Sequence, residues 1–355
     1  MTRIGADVKF EDGGSRLGDD PVKTLVALAD LGFEGILVRT LDEAFPTLDP
    51  GAIAEFAAEA RARGMFVQAG VGKVNPFMTA ELPRVRDLGD GSYLAGMERM
   101  IAICAEQGWT EAWSATGGFK HELPAPHCFD RFRTDVDWAD QLASTGRFLR
   151  LLAPSLRAHG VRINLETHEE ITTFEILRLI EEVGDDVLGV CLDPANLPVR
   201  GELVTDAVRR VARHVHMTHL RDAVLVETDE GLSRFLAPVG QGLIDWPDLL
   251  GRVLAAAPEL DLVIEGIGGS RAEMLLQLDD PRWRAAHPDM TDADAAALRA
   301  QAAAYGGLVA TGRAPDLDAL RASPPVDADY RQFLTDSRTA LMAAVQRRSA
   351  SPEQE

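Results

Sequence analysis

The stretch "WADQLASTGRFLRLLAPSLRAHGVRINLETH", residues 138–168, decides the fold because it joins two different hydrophobic periods. Up to Gly160 the apolar residues recur every three or four positions, as in a helix that packs one face on a core. The run "VRINLE" that follows is short and apolar, and it ends in a carboxylate, Glu166, with His168 two places later. This segment therefore predicts a helix followed by a buried strand that ends in polar residues.

The same pairing of helix and strand recurs along the chain. Eight strand-like runs alternate with seven helix-like segments between about residues 4 and 269. Strands joined by helices form a parallel sheet through right-handed crossovers, and eight such units in roughly 250 residues match the size of a (β/α)₈ barrel. The rival fold is an open doubly wound sheet, but neither GxGxxG nor a phosphate loop follows the first strand. The pattern predicts an α/β protein whose residues 1–269 form a (β/α)₈ TIM barrel.

The sequence changes character after Gly269. The stretches "RAEMLLQL" (271–278), "DADAAALRAQAAAYGGLVA" (292–310) and "DADYRQFLTDSRTALMAAVQRR" (327–348) have helical patterns with no strand-like run between them. They predict a helical C-terminal extension, residues 270–355. This extension either packs across one face of the barrel or forms a subunit contact, and the sequence does not choose between these two roles.

Composition and charge narrow the classes of partner. The chain has 355 residues, of which 46% are hydrophobic, and this suits one globular barrel with additions. Its formal charge of −20 opposes binding to duplex nucleic acid or to an anionic membrane surface. Three widely spaced cysteines give no disulfide framework, and the sequence has neither a signal peptide nor a run of 18 apolar residues. We expect a cytoplasmic homo-oligomer with a small-molecule partner.

The last four strand-like runs all end in residues that bind metals. These residues are Glu166, Asp193, His219 and Glu265. Barrel enzymes place their chemistry at the carboxyl ends of the strands, where three buried carboxylates would repel one another unless a cation lay between them. Alone, each has a structural explanation, such as a helix cap, a turn residue or a core histidine. Together they predict a divalent metal site, and oxygen-rich ligation with one imidazole favours Mn²⁺, Mg²⁺ or Co²⁺ over a structural Zn²⁺ site.

Five short motifs carry a resemblance to a known family. "INLETH", "LDPAN", "THLRDA", "PVGQGLIDW" and "VIEG" occur in this order within residues 160–268. They resemble the metal-dependent sugar isomerase and epimerase superfamily with a xylose isomerase-like barrel, which includes ketohexose epimerases, hydroxypyruvate isomerases, inosose dehydratases and, more distantly, endonuclease IV. The resemblance implies a carbohydrate substrate, one divalent ion (Mn²⁺ first, then Mg²⁺, Co²⁺ or Zn²⁺) and Glu166, Asp193, His219 and Glu265 as its ligands. It also implies Glu166 and Glu265 as the catalytic acid and base.

The chain departs from the family's pattern at two positions. Arg221 stands where the family often has lysine, and Asn196 stands where it often has histidine. Both residue types can contact a substrate, but the amide of Asn196 cannot transfer a proton. His168 is a further substrate-contact candidate. The motif "HVHMTH" also leaves His216 as an alternative to His219, since three positions along a strand reverse the face.

The predicted site suggests a reaction. A cation that binds a carbonyl oxygen and its neighbouring hydroxyl acidifies the hydrogen between them and stabilises the resulting enediolate. The leading hypothesis is an isomerase or epimerase of a sugar or sugar-acid derivative that acts by proton transfer. The alternative is a lyase, either a dehydratase or a decarboxylase, that acts on a keto sugar acid with the same metal site. A sugar-binding or subunit barrel is the non-enzymatic alternative.

Lysine is scarce in this chain, with only four among 36 basic residues. Three of them, Lys9, Lys73 and Lys120, follow the first, third and fourth strand-like runs and are expected to face the barrel mouth. A compact ammonium at this position can bind a carboxylate or a phosphate, or stabilise an oxyanion. Lys73 and Lys120 are therefore predicted to bind an acidic or strongly oxygenated sugar derivative.

Overall fold

A computed structural model describes residues 2–120, 122–266, 272–322 and 327–350. Most strands are short and buried on both faces, as expected for a parallel sheet that is covered by helices. The strands are β1 (Ile4–Val8), β2 (Gly35–Val38), β3 (Phe66–Gly70), β4 (Glu111–Ser114), β5 (Arg162–Glu166), β6 (Leu188–Leu192), β7 (Val215–Thr218), β8 (Asp222–Thr228), β9 (Gly231–Ala237), β10 (Leu262–Glu265) and β11 (Met274–Leu276).

Eight of these strands form one parallel sheet in the order β10, β1, β2, β3, β4, β5, β6, β7. The two ends of the sheet meet just beyond β7. There the Leu220 amide donates to the Val263 carbonyl at 2.7 Å, and the Glu265 amide donates to the Leu220 carbonyl at 3.3 Å. These bonds close the sheet into a ring, so the predicted (β/α)₈ TIM barrel is confirmed and the open doubly wound sheet is excluded.

Helices cover the outside of the barrel, and several begin with the proline and aspartate that favour a helix start. No helix within the described residues has the length and apolar composition needed to span a membrane. The helices are α1 (Pro21–Asp30), α2 (Leu41–Ala44), α3 (Pro50–Ala62), α4 (Pro83–Leu88), α5 (Tyr93–Gln107), α6 (Trp138–His159), α7 (Thr173–Val183), α8 (Val204–Val211), α9 (Trp246–Ala256), α10 (Pro281–Ala285), α11 (Asp292–Ala310), α12 (Leu317–Arg321) and α13 (Asp327–Ala350).

The last helix, α13, belongs to the ring of helices around the barrel. It packs against α9 and β10, and its residues Tyr330, Phe333 and Leu334 lie in the same hydrophobic core as the strands. The Tyr330 hydroxyl lies 3.4 Å from the Asp7 carbonyl in β1, which places the start of α13 beside the first strand. The predicted boundary at Gly269 lies outside the described residues, so the division into two domains stays a prediction.

A small antiparallel sheet lies beside the barrel. Strands β8 and β9 form a hairpin, and β11 pairs with β9. The prediction of a helix over residues 271–278 is therefore wrong, because residues 274–276 form β11. Met274 and Leu276 are buried, and Leu276 packs in a hydrophobic cluster with Leu225 and Leu232 of the hairpin. Three residues are too few to show the strand period in the sequence, and the hairpin partner was not recognised there.

Candidate metal centre

Three of the four predicted ligands meet at the carboxyl end of the barrel. Glu166 is the last residue of β5, His219 directly follows β7, and Glu265 is the last residue of β10. All three are buried, and each offers a ligand atom within 4.8 Å of those of the other two. Parallel strands that end at the same edge bring their terminal side chains together, so residues 53 and 46 positions apart in the sequence form one cluster.

The polar atoms of this cluster lack the hydrogen bonds that buried groups normally form. Among the described residues, neither ring nitrogen of His219 nor Oε1 of Glu166 has a hydrogen-bond partner. His219 Nδ1 lies 3.4 Å from Glu166 Oε2 and 3.7 Å from Glu265 Oε2. Two carboxylates and one imidazole at these separations are a donor set that divalent transition metals accept. The residues therefore fit the cation predicted from the sequence.

Trp113 in β4 holds the cluster from one side. Its indole Nε1–H donates to Glu166 Oε2 at 2.9 Å, and its ring stacks on His219 with centroids 5.9 Å apart. This leaves Glu166 Oε1 as the oxygen of that carboxylate that has no hydrogen bond from the part of the chain that the structure describes. Burial alone would raise the pKa of Glu166, but the nearby imidazoles of His219 and His168 lower it to about 2. The carboxylate is thus held ionised and in a fixed orientation.

The fourth predicted ligand, Asp193, is buried near this cluster but forms other bonds. Its Oδ2 accepts from Arg221 Nε at 2.9 Å and from Asn196 Nδ2 at 2.8 Å, while Oδ1 accepts from the Ala195 amide at 2.9 Å. Burial raises the pKa of Asp193 to about 7, although Arg221 opposes the shift. The structure therefore brings together three of the predicted ligands and places the fourth in a hydrogen-bond network with Arg221 and Asn196.

Glu265 lies between two arginines. Arg39 Nη2 is 2.5 Å from Glu265 Oε1, and Arg221 Nη2 is 2.9 Å from Oε2. Arg39 also binds Asp7 through both carboxylate oxygens, with Nε 2.9 Å from Oδ1. Burial alone would raise the pKa of Glu265, but Arg221 and Arg39 hold the pKa of this carboxyl well below its usual range.

Sequence reasoning missed Asp7 and Arg39. Arg39 directly follows β2, so it occupies the same kind of strand-end position as the predicted ligands. Asp7 interrupts the apolar run "IGADVKF", where a charged residue needs a partner. The sequence thus marks each of the two positions as unusual, but it does not show that the two side chains pair.

His168 belongs to a second cluster with its two neighbours in the chain. Its Nδ1 is 2.5 Å from Glu170 Oε2, and its Nε2 is 2.8 Å from Glu169 Oε2. Burial alone would lower the pKa of His168, but these two carboxylates raise it well above its usual value. Thr116 donates to the remaining oxygen of Glu170 at 2.7 Å. Both ring nitrogens of His168 already have carboxylate partners. This cluster is therefore a weaker candidate for a metal site than the cluster of Glu166, His219 and Glu265.

The structure also places the two alternative histidines. His219 lies with the glutamates, whereas His216 is half-buried on β7 and packs beside Gly189 and Asn164. Burial lowers the pKa of His216 to about 4, with help from Arg162. Of the two, His219 is the one that lies within reach of Glu166 and Glu265.

A cavity of about 570 Å³ opens at the carboxyl ends of the strands. Glu265 belongs to both the cluster and the cavity wall, and so connects them. Lys120 instead forms an ion pair with Asp130, Nζ to Oδ1 at 2.9 Å, and neither Lys120 nor the buried Asn196 lies in the lining. Five of the residues expected at the barrel mouth from the sequence do line the cavity: Lys9, Lys73, His168, Arg221 and Glu265.

Comparison with known proteins adds a family and several relatives. Residues 25–273 match the family model described as a xylose isomerase-like TIM barrel. A curated relative, the 3-oxo-isoapionate decarboxylase of Pectobacterium atrosepticum, is 24% identical over 119 residues, which cover 33% of this chain and 43% of the relative. The chain thus matches less than half the length of that decarboxylase.

Two solved structures illustrate the structural similarity. A xylose isomerase-like TIM barrel protein from Mycobacterium smegmatis, in complex with magnesium, has a TM-score of 0.56 at 17% identity, covering 85% of this chain and 98% of that one. D-Psicose 3-epimerase with D-tagatose from Clostridium cellulolyticum H10 also has a TM-score of 0.56, at 15% identity, covering 96% and 99%. At these identities the likeness concerns the fold alone.

Proposed function

Because the chain belongs to the xylose isomerase-like TIM barrel family, we propose that it is a divalent-metal-dependent isomerase or epimerase of a sugar or sugar-acid derivative. One observation carries this proposal. Glu166, His219 and Glu265 form a buried cluster in which both imidazole nitrogens lack a hydrogen-bond partner among the described residues. A protein that used this cluster only for stability would satisfy those nitrogens, since buried polar groups without partners cost about 1–3 kcal/mol each.

The residues that would hold the cation are Glu166, His219 and Glu265, with Asp193 as a predicted fourth ligand. When bound, the cation would polarise a substrate carbonyl and stabilise the negative charge that develops as a neighbouring proton leaves. We propose Mn²⁺, with Mg²⁺, Co²⁺ and Zn²⁺ as alternatives, because two carboxylates and one imidazole suit these ions. A solved relative in complex with magnesium supports a divalent ion in this fold.

Proton transfer is assigned to the two glutamates, with different roles. A general base needs an oxygen that is free to take a proton. Glu166 has such an oxygen, because Trp113 binds only Oε2. Both oxygens of Glu265 face arginines, so this carboxylate accepts a proton less readily. We therefore propose that Glu166 removes the substrate proton, exchanges it with solvent and returns a proton to the substrate, and that Glu265 orients the reacting groups; the acid or base role of Glu265 stays a prediction from the sequence.

The proposed chemistry can be tested through exchange with solvent. Mn²⁺-loaded protein is incubated with a panel of ketoses and keto sugar acids in D₂O, and NMR follows deuterium at the carbon beside the carbonyl. We expect exchange with the wild type and a loss of at least about 100-fold in Glu166→Gln, the size of a general-base contribution. Glu111→Gln is the matched control, because Glu111 lies at the opposite end of the barrel and pairs with Arg162 and Asn164. Equal exchange in Glu166→Gln and the wild type would contradict the assignment.

A lyase that acts on a keto sugar acid is the second candidate. Two findings favour it: the curated relative is a decarboxylase, and the cationic side chains Lys9, Arg39 and Arg221 line the cavity. The same NMR experiment separates the candidates, since an isomerase gives a product of equal mass whereas a lyase releases CO₂ or water. Binding without any turnover would support the sugar-binding or subunit barrel. The cytoplasmic location and the homo-oligomeric state stay predictions from the sequence.

A further inference from the structure

Lys9 is a cation of the cavity wall that the metal-centre hypothesis does not use. It directly follows β1 and lines the same cavity as Glu265, Arg39 and Arg221. Its side chain is solvent-exposed, yet protein groups surround it, because the solvent that it meets lies inside the cavity. Lys9 thus presents an ammonium group to whatever occupies this space.

The other cations of the cavity wall already have partners. Arg39 binds Asp7 and Glu265, and Arg221 binds Asp193 and Glu265. Lys73 donates a hydrogen bond to the Gly117 carbonyl.

Lys9 differs from all of these. Within the part of the chain that the structure describes, Lys9 forms neither a hydrogen bond nor an ion pair. The positive charge of Arg39, together with burial, lowers the pKa of Lys9, although the carboxylates of Glu265 and Asp7 oppose the shift, so the ammonium charge is only partly compensated. A bound anion would supply a direct partner in the cavity.

The chemistry of one ammonium group indicates a carboxylate. A single lysine offers three donors and one charge, which match a monoanion. A phosphate carries roughly two charges and three acceptor oxygens, and it is commonly held by arginine forks or several donors. The guanidinium groups of Arg39 and Arg221 are already engaged with carboxylates. A cavity of about 570 Å³ is large enough for a six-carbon ligand.

We propose that Lys9 binds the carboxylate of the substrate, so that the protein acts on a polyhydroxylated keto acid and discriminates against the matching neutral ketose. This inference rests on the proposed function, because it assumes that Glu265 and its cluster hold the reacting end of the same ligand.

The test compares ligands that differ only in this charge. D-Fructose is paired with 2-keto-D-gluconate, and L-sorbose with 2-keto-L-gulonate; within each pair, C1 is a hydroxymethyl group or a carboxylate. Isothermal titration calorimetry on Mn²⁺-loaded protein gives Kd for the wild type, Lys9→Met, Lys9→Gln and Lys23→Met. Lys23→Met is the control, because Lys23 lies on the surface in α1 beside Asp19 and Asp20. Metal per chain is measured on the same samples, and Lys9→Gln replaces Lys9→Met if the latter melts earlier than the wild type.

The wild type and Lys23→Met are expected to bind the keto acid of at least one pair at least about tenfold more tightly than its ketose, the scale of a charge-assisted hydrogen bond. Lys9→Met is expected to lose that preference while its affinity for the ketose is unchanged. A preference that survives in the Lys9 variants, or no preference in metal-loaded wild type, would overturn the inference and leave the proposed function standing. Wild type that takes up no Mn²⁺ would overturn the proposed function, and the inference with it.

Discussion

The two halves of the barrel mouth carry charge in different ways. The ligand half consists of strands β5, β6, β7 and β10, and its strands β5, β7 and β10 bring together the buried cluster of Glu166, His219 and Glu265, whose imidazole nitrogens lack partners among the described residues. Strands β1 to β4, the balancing half, contribute the ion pair of Asp7 with Arg39, and Arg39 also contacts Glu265 of the ligand half. The difference teaches that one half is built to receive a cation, whereas the other supplies the arginine that holds Glu265 in place.

The contrast between the two halves depends first on whether the ligand half binds a metal ion. Glu166→Gln combined with His219→Ala removes one charge and the imidazole, so we expect bound metal to fall from about one ion per chain to almost none. Mass spectrometry on protein purified without chelator measures this ratio. The matched control is Glu111→Gln combined with His216→Ala, which changes the same residue types elsewhere on the barrel and is expected to retain the metal. Metal retained in the first variant would show that these residues are not the ligands.

The balancing half can be tested through stability. Arg39→Met leaves Asp7 and Glu265 buried without their shared partner, so we expect the free energy of unfolding to fall by about 3–5 kcal/mol. Arg63→Met removes the partly exposed ion pair with Glu59 on α3 and is expected to cost less than about 1 kcal/mol. Guanidinium denaturation of the metal-free proteins measures both values. Equal losses in the two variants would remove the distinction between a buried balancing pair and a surface pair.

The smallest expected effect concerns Asp193, which was predicted as a metal ligand but lies in a hydrogen-bond network beside the cluster. Its carboxylate binds Arg221 and Asn196, and Arg221 in turn binds Glu265. Asp193→Asn is therefore expected to weaken metal binding by about 10–100-fold, as loss of a supporting contact does, without abolishing it. Titration of the metal-free variant with Mn²⁺ gives the change in Kd. An unchanged Kd would exclude Asp193 from the site, and complete loss would make it an essential ligand.

The alternation of apolar runs and helices predicted the barrel because, in every unit, an apolar strand is buried beneath a helix. The cluster was predictable for a related reason, since strand ends converge by topology and Glu166, His219 and Glu265 each end or follow a strand.

The ion pair of Asp7 with Arg39 was not predicted, because it joins neighbouring strands through side-chain geometry that spacing does not encode. The ion pair of Lys120 with Asp130 was not predicted for the same reason, because it depends on the path of a loop. Strand β11 was missed because its pairing with β9 determines its conformation, not its own three residues.

The contact between Tyr330 in α13 and Asp7 in β1 spans 323 positions of sequence, and it bears on how the chain acquires its fold. The ring of helices closes only when α13 reaches α9, so a growing polypeptide on the ribosome exposes that apolar surface until translation has passed Leu341. Contacts this distant in sequence form late and slowly. A chain shortened before Asp327 therefore emerges with an uncovered hydrophobic groove, which is the kind of surface that chaperones bind and that drives aggregation.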